Sequence, residues 1–318
     1  MAEKKKKDIL NDEWNIVNDE IVINTEEKSE TYKILEIIFK ELDETMKNKD
    51  PLYNKIISGY NVLDQLLLGF YKGDLNIIAS RPGIGKTLFA MSMFTNIVKQ
   101  GINALYISFE KNETDLMKNI IAISANISSH KLDSGLLSRD DYKNIIDGLN
   151  KLNKCENIFL KTLINTDLLK LKDFIKEEIN KNDIKIVFID YLHLIVPAPT
   201  YSNRWEQVCE ISRSLKTMAM EFNVPFVVLC PIHRNVEDDK PEMNDLSESG
   251  SIENEADRIM ILFNKKKKKP HRNDDYIEKP DEKIISLYIA KNRRGATTTI
   301  DFLFDYKKKN IKIAEPKI

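Results

Sequence analysis

The chain has 318 residues, carries 49 Lys and Arg against 50 Asp and Glu for a formal net charge of −1, and is 42% hydrophobic. That length and apolar share suit one large α/β domain with an extension, because single cores stop growing at about 300 residues. No run approaches the ~18–20 apolar residues that cross a bilayer and no apolar segment follows the lysine-rich start, which argues against a membrane partner or a secretory leader and sets the expectation of a cytoplasmic protein.

Cys155, Cys209 and Cys230 are far apart and odd in number, and the four histidines are scattered, a pattern that supplies neither a disulfide framework nor a zinc cluster. With the global charge near neutral, any nucleic-acid contact has to come from local groups.

In chain order, residues 1–28 open on Lys4 to Lys7 and read as a flexible N-terminal arm. Residues 29–50 form an expected linker-like amphipathic helix: Ile34, Leu35, Ile37, Ile38, Leu42 and Met46 recur at helical spacing among Glu and Lys, and Asp50-Pro51 ends it. Residues 51–318 alternate short apolar runs with longer amphipathic ones. Strands are expected over 75–79, 104–108, 186–189, 226–229, 259–263, 285–290 and 299–304, and helices over 88–99, 115–123, 168–179 and 205–221. The first four strands are nearly continuous in apolar residues, as parallel strands buried on both faces are, so the fold class is α/β with a mainly parallel central sheet. The last two strands are close enough to form a hairpin, expected at the sheet edge. Residues 265–275, dense in charge, read either as a surface loop or as a phosphate contact.

The sharpest local pattern is Ser80-Arg81-Pro82-Gly83-Ile84-Gly85-Lys86-Thr87, set between an expected strand and an expected helix. Glycines at 83 and 85 let successive backbone N–H groups turn toward phosphate oxygens, and the helix that follows points its N-terminus at the same charge. Lys86 can reach the β- and γ-phosphates and the Thr87 hydroxyl can ligate Mg²⁺, so ATP and Mg²⁺ are the expected cofactors. Ser80 stands where the usual G-x-x-x-x-G-K-[ST] pattern has its first glycine.

Asp190 ends an apolar strand, a position that suits either a Mg²⁺ ligand or a turn former. Glu110, just beyond residues 104–108, can serve as the base that activates water if that strand neighbours the strand at 75–79, or it can be an exposed surface carboxylate.

From residue 57 to 305 the sequence resembles the C-terminal motor domain of bacterial and phage DnaB-type replicative DNA helicases. The blocks that carry this are Ser58-Gly59-Tyr60 with Leu63-Asp64, the Ser80 to Thr87 pattern, Ser108-Phe109-Glu110, Ile189-Asp190-Tyr191-Leu192, and Glu210-Ile211-Ser212-Arg213-Ser214-Leu215-Lys216. They continue with Glu248-Ser249-Gly250-Ser251-Ile252-Glu253, Ala256-Asp257 and Ile289-Ala290-Lys291-Asn292-Arg293.

The resemblance implies a RecA-like P-loop NTPase core with a C-terminal edge hairpin. It implies a ring, a hexamer, that hydrolyses ATP to move on single-stranded DNA, with primase or a helicase loader as a further partner. It assigns Glu110 as catalytic glutamate, Arg293 as arginine finger and Lys291 as its companion, both acting on ATP held by the next subunit. The loops around Asn203 and Arg204 and around Arg234 to Lys240 fall where the family faces DNA, and the helix over 29–50 falls where its linker helix docks on a neighbour. The apolar face of that helix could be covered by the body of the same chain or by a neighbouring subunit; with Arg293, it has no satisfying role in an isolated subunit, which also points to an oligomer.

Three positions depart from the family. A short arm stands where the family has an N-terminal helical domain; Cys230-Pro231-Ile232-His233-Arg234 replaces Ser-Gln-Leu-Ser-Arg, so Pro231 stands in place of a γ-phosphate-sensing glutamine; and Ser247 replaces an arginine. Two other functions fit the same residues: a RecA-like ATPase of recombination or helicase loading, and an ATP-binding ring-assembly protein with weak or absent hydrolysis. DNA-stimulated turnover with strand separation separates the first reading from both.

Overall fold

The computed structural model describes residues 14–17, 20–23, 30–152, 156–197, 203–232, 241, 243–246, 249–264 and 281–314. They fall into two compact units, Met1–Lys55 and Ile56–Ile318.

In the first unit, β1 (Trp14–Val17) and β2 (Glu20–Ile23) pair antiparallel, inside the stretch read as a flexible arm. Helix α1 (Glu30–Asn48) follows; Lys49 then takes a left-handed φ of 51°, and Asp50 accepts a hydrogen bond from the Leu52 N–H (2.9 Å). The recurrence of apolar residues three or four apart gives α1 an apolar stripe. On it Ile34, Ile37, Ile38, Leu42 and Met46 are exposed.

The second unit is built on a nine-stranded sheet in the order β11-β10-β9-β8-β3-β7-β6-β4-β5. Its strands are β3 (Leu75–Ser80), β4 (Ala104–Ser108), β5 (Ile158–Thr162), β6 (Ile186–Asp190), β7 (Phe226–Pro231), β8 (Arg258–Phe263), β9 (Glu282–Asn292), β10 (Thr299–Asp305) and β11 (Asn310–Ile313). The run from β8 to β5 is parallel, and β9, β10 and β11 are antiparallel. Helices α2 (Asn61–Leu67), α3 (Lys86–Lys99), α4 (Glu113–Ala125), α5 (Ser129–Ser134), α6 (Arg139–Asn150), α7 (Leu168–Asn182), α8 (Arg204–Phe222) and α9 (Ser249–Glu255) decorate it.

Successive strand residues point to opposite faces, and both faces are packed. Ile78, Tyr106 and Phe188 join Phe89 and Phe94 of α3 in one core, while Ile77, Leu105 and Val187 join Leu171 of α7 and Leu215 of α8 in the other. Phe94, Tyr106 and Phe188 interlock with ring centroids 5.5–5.9 Å apart, which fixes α3 over β4 and β6. No described helix is long and apolar enough to cross a membrane.

The expected hairpin forms, and two details go further. The β9–β10 hairpin continues into β11, so the edge strand is β11, whose short N-I-K-I run gives little sequence signal. Strand β4 does not neighbour β3, because β7 and β6 lie between them.

Candidate nucleotide site and the opposite end of the sheet

Strands β3, β7, β6 and β4 all end at the same edge, because parallel pairing sets Ser80 against Pro231 and Ser108 against Asp190. The glycine-rich loop leaves that edge from β3 and enters α3. Gly83 takes φ 81° and has no atom within 4 Å of where a Cβ would stand, leaving a concave stretch of backbone that an anion can approach. Gly85 takes φ 103°, and a Cβ there would come within 3.1 Å of the Phe304 ring. Tyr306 donates its hydroxyl proton to the Ile84 carbonyl (2.9 Å), so the end of β10 braces the loop from behind.

Lys86 and Thr87 open α3 beneath this loop. The Lys86 ammonium lies 5.2 Å from the centre of the Tyr191 ring. Burial pushes Lys86 below the usual lysine range, with Cys230, Asp190 and Glu110 pulling it back. Asp190, 2% exposed, accepts at Oδ2 from the Tyr106 hydroxyl (3.0 Å), while Oδ1 is buried with no hydrogen-bond partner. Burial raises its carboxyl above the ordinary range; the Thr87 and Tyr106 hydroxyls and the Lys86 charge oppose the shift. A buried carboxylate oxygen without a partner, beside a threonine hydroxyl and a lysine, is the donor set a hard divalent cation takes when it arrives with a phosphate.

Glu110 reaches this group without β4 touching β3. Ser108 Oγ accepts from the backbone N–H groups of Glu110 (3.2 Å) and Lys111 (2.8 Å), and the Phe109 N–H donates to the Asp190 carbonyl (2.8 Å). These bonds tie the turn after β4 to the end of β6. Glu110 itself is exposed, and its charge acts on Lys86, Asp190 and Tyr191.

Lys291 and Arg293 are elsewhere. The register sets Asn292 against Arg258 and Arg258 against Asn76, at the start of β3, whereas the phosphate loop leaves β3 at Ser80. The separation along the strands is about 13 Å from backbone rise alone. Arg293 has partners in its own chain. It donates to Asp257 Oδ1 (3.1 Å) and to the Asn254 carbonyl (3.0 Å), and Lys291 donates to the Glu253 carbonyl (2.5 Å).

Asn203 caps α8 by accepting from the Glu206 N–H (2.9 Å), and Arg204 donates to the His193 carbonyl (3.1 Å) and Gln207 (3.3 Å). Both are exposed, at the base of the loop after β6. Arg234, Lys240, His233, Ser247 and residues 265–275 lie outside the described residues. Sequence reasoning missed Tyr106, Ser108, Tyr306 and the anchoring by Asp257. The S-x-E spacing at Ser108 and Glu110 was a usable signal for the turn, whereas the Tyr306 contact joins residues 222 positions apart and had none.

An open, mainly parallel sheet with a glycine-rich phosphate loop after an inner strand, flanked by strand-terminal acids, defines a RecA-like P-loop fold. The DnaB-like helicase C terminal domain model matches residues 55–312, and the chain belongs to that family. It is 35% identical over 269 residues to a probable replicative DNA helicase of Trieres chinensis, covering 81% of this chain and 57% of that protein. It is 32% identical over 268 residues to replicative DNA helicase DnaB of Geobacillus stearothermophilus, covering 82% and 57%. Among solved structures, an isolated ATPase domain superposes with a TM-score of 0.77 at 26% identity over 91% of this chain and all of that one. A DnaB-like replicative helicase, described with its interactions with primase, superposes at 0.74 with 25% identity over 91% of this chain and 68% of that one. The chain thus spans under two thirds of the length of these curated relatives.

Proposed function

We propose that this chain is the motor subunit of an ATP-driven replicative DNA helicase: a ring, hexameric in the fullest form of the reading, that hydrolyses ATP to move along single-stranded DNA and part the duplex. The observation that carries it is the split of charged groups between the two ends of one sheet. Lys86, Thr87, Asp190 and Glu110 converge on the phosphate loop, while Lys291 and Arg293 sit about 13 Å away along the strands, at the far end, which supports a role at a neighbouring copy's nucleotide.

In this reading the loop N–H groups and Lys86 hold the β- and γ-phosphates, and Thr87 and Asp190 hold Mg²⁺. The metal supplies charge neutralisation on the phosphate oxygens. Glu110, exposed at the mouth, orients the attacking water and takes its proton. Arg293, assisted by Lys291, places positive charge on the neighbour's γ-phosphate as it leaves. The exposed apolar face of α1 docks on an adjacent motor domain, and residues 1–28 act as an arm ahead of it. Asn203 and Arg204, with Arg234 and Lys240, contact DNA phosphates. A primase or a loader is the partner in the replisome, by analogy with the relative described with primase.

Pro231 qualifies the coupling. It pairs with Ser80 at the root of the phosphate loop and has neither a backbone donor nor a polar side chain with which to register loss of a phosphate. Turnover is therefore stimulated by DNA less strongly than in a glutamine-bearing relative.

The test compares basal and DNA-stimulated ATP turnover, with strand separation, in the native chain, Glu110→Gln and Pro231→Gln at matched oligomer mass. The reading expects Glu110→Gln to bind ATP without turnover and Pro231→Gln to raise the DNA-stimulated rate alone. A native chain that binds ATP, forms rings and neither turns over nor separates strands would assign it to ring assembly instead.

A further inference from the structure

We infer that Asp257 is the positioning residue for Arg293, anchoring this trans-acting guanidinium to the base of the same strand that carries the subunit's own phosphate loop. The inference rests on the reading that Arg293 serves a neighbour's nucleotide.

Asp257 sits between α9 and β8 with its side chain 8% exposed. One carboxylate oxygen belongs to the fold: Oδ2 accepts from the Leu75 N–H at the start of β3 (2.8 Å) and from the Lys216 ammonium of α8 (2.7 Å), and Lys216 also donates to the Gly73 carbonyl (2.8 Å). The Asp257 N–H donates to the Leu75 carbonyl (2.9 Å), so main chain and side chain together fix this residue to β3. The other oxygen, Oδ1, accepts from Arg293 Nη1.

Arg293 is gripped at three points: that carboxylate, the Asn254 carbonyl through Nη2, and the Asp257 carbonyl through its own backbone N–H (3.1 Å). Its side chain is nevertheless half exposed, and a guanidinium with five N–H donors has some left for a ligand. Lys291 is held by the carbonyl one residue earlier, Glu253, so both cations rest on the last turn of α9. A long side chain that acts on a distant phosphate gains rate only where its geometry is set before the ligand arrives. Here one buried carboxylate and the Asn254 carbonyl near the end of α9 set the guanidinium, and the Asp257 carbonyl holds its backbone. None of these groups lies at the subunit's own phosphate loop, so the effect appears at the neighbour's site.

Subunit mixing tests this. Asp257→Asn is expected to lower kcat roughly 10- to 100-fold, on the scale of outer-shell partners, with KM and affinity for a fluorescent ATP analogue unchanged. Asp257→Asn with Arg293→Ala is expected to be no slower than Arg293→Ala alone, whereas a merely structural role would make the losses multiply. Lys86→Ala subunits, with a damaged phosphate loop and an intact arginine, mixed with Asp257→Asn subunits should form rings whose turnover exceeds the sum of the two parents. Arg293→Ala mixed with Lys86→Ala is the control: absence of recovery there overturns the trans reading itself. Recovery with Arg293→Ala but not with Asp257→Asn, when both enter rings by mass, overturns the role of Asp257. If Asp257→Asn does not fold, Asp257→Glu keeps the charge but displaces its oxygens by a methylene. A folded Asp257→Glu ring with native kcat overturns the proposal, and reduced kcat at unchanged nucleotide affinity supports it.

Discussion

The two ends of β3 follow opposite rules. Where β3 ends at Ser80, backbone turns through Gly83 with open space around it and Asp190 keeps a buried oxygen unpartnered. Where β3 begins at Leu75, charge is dense and paired. Arg258, fully buried, donates to Asn76 Oδ1 (3.1 Å) and the Leu67 carbonyl (2.9 Å) and lies 3.5 Å from Asp74; Arg294 pairs with Asp74 and stacks 4.2 Å above the Tyr71 ring. A buried polar atom without a partner costs about 1–3 kcal/mol, so it persists where a ligand will satisfy it. The paired end holds shape and presents its cations outward, and the open end is where the proposed reading places phosphate and metal.

That contrast breaks most sharply at Arg293. Arg293→Ala is expected to lower ring turnover by about three orders of magnitude or more, the scale of an arginine finger. Thermal stability should fall only modestly, by about 1–3 kcal/mol, because Arg293 is half exposed and Asp257 keeps Lys216 and the Leu75 N–H. A steady-state assay showing native kcat would remove the paired end from catalysis. Next, Glu110→Gln should lower kcat by about 10²–10⁴-fold with ATP affinity retained, the range for loss of a general base, as read in a single-turnover quench.

Arg258→Met probes the paired end as structure. Removing the fully buried guanidinium leaves Asp74 with only the half-exposed Arg294 and strips Asn76 Oδ1 and the Leu67 carbonyl of their donor; breaking such a buried pair costs about 3–5 kcal/mol, seen as a lower urea midpoint. A variant as stable as the native chain would show that this network is dispensable.

The smallest effect is at the open end. The Asp190 carboxyl is raised in the folded chain, so the folded state favours its protonated form. The stability this contributes is full below the ordinary carboxylate range and is lost as pH rises through the raised folded value. Asp190→Asn should therefore raise the melting temperature of the nucleotide-free protein at neutral pH by a few degrees, about the shift of 1 kcal/mol in a domain of this size, and lose that gain on acidification. Mg²⁺ stabilisation should vanish in the same variant. A lower neutral-pH melting temperature in Asp190→Asn would mean the carboxylate is satisfied without metal.

Much of the second unit was readable because its inner strands are short apolar runs with glycine-rich or acidic ends, and β3, β4, β6 and β7 fall close to where those runs lie. Helix α6 escaped even though Tyr142, Ile145, Ile146 and Leu149 recur at helical spacing and its Ser138–Asp141 capping box was there to find; the Lys131 hydrogen bond and charge, with the bonds from Ser138, hold that aspartate down to about 2. The phosphate loop and Asp190 are local patterns and were legible. The Ser108–Glu110 turn is local, but the approach of Glu110 to Asp190 and Lys86 was not legible, because the strand order that sets β7 and β6 between β3 and β4 is not written in any local run. The anchoring of Arg293 depends on Leu75, Lys216 and Asp257 meeting across the fold, which spacing does not encode.

The central claim is that each nucleotide site is completed by the neighbouring subunit. The direct measurement is ATP turnover per subunit over a protein dilution series, with Mg²⁺ and single-stranded DNA saturating and oligomer mass followed in parallel. Turnover per subunit should fall with the fraction of ring as the oligomer dissociates. Undiminished turnover in a species of single-subunit mass would contradict the account.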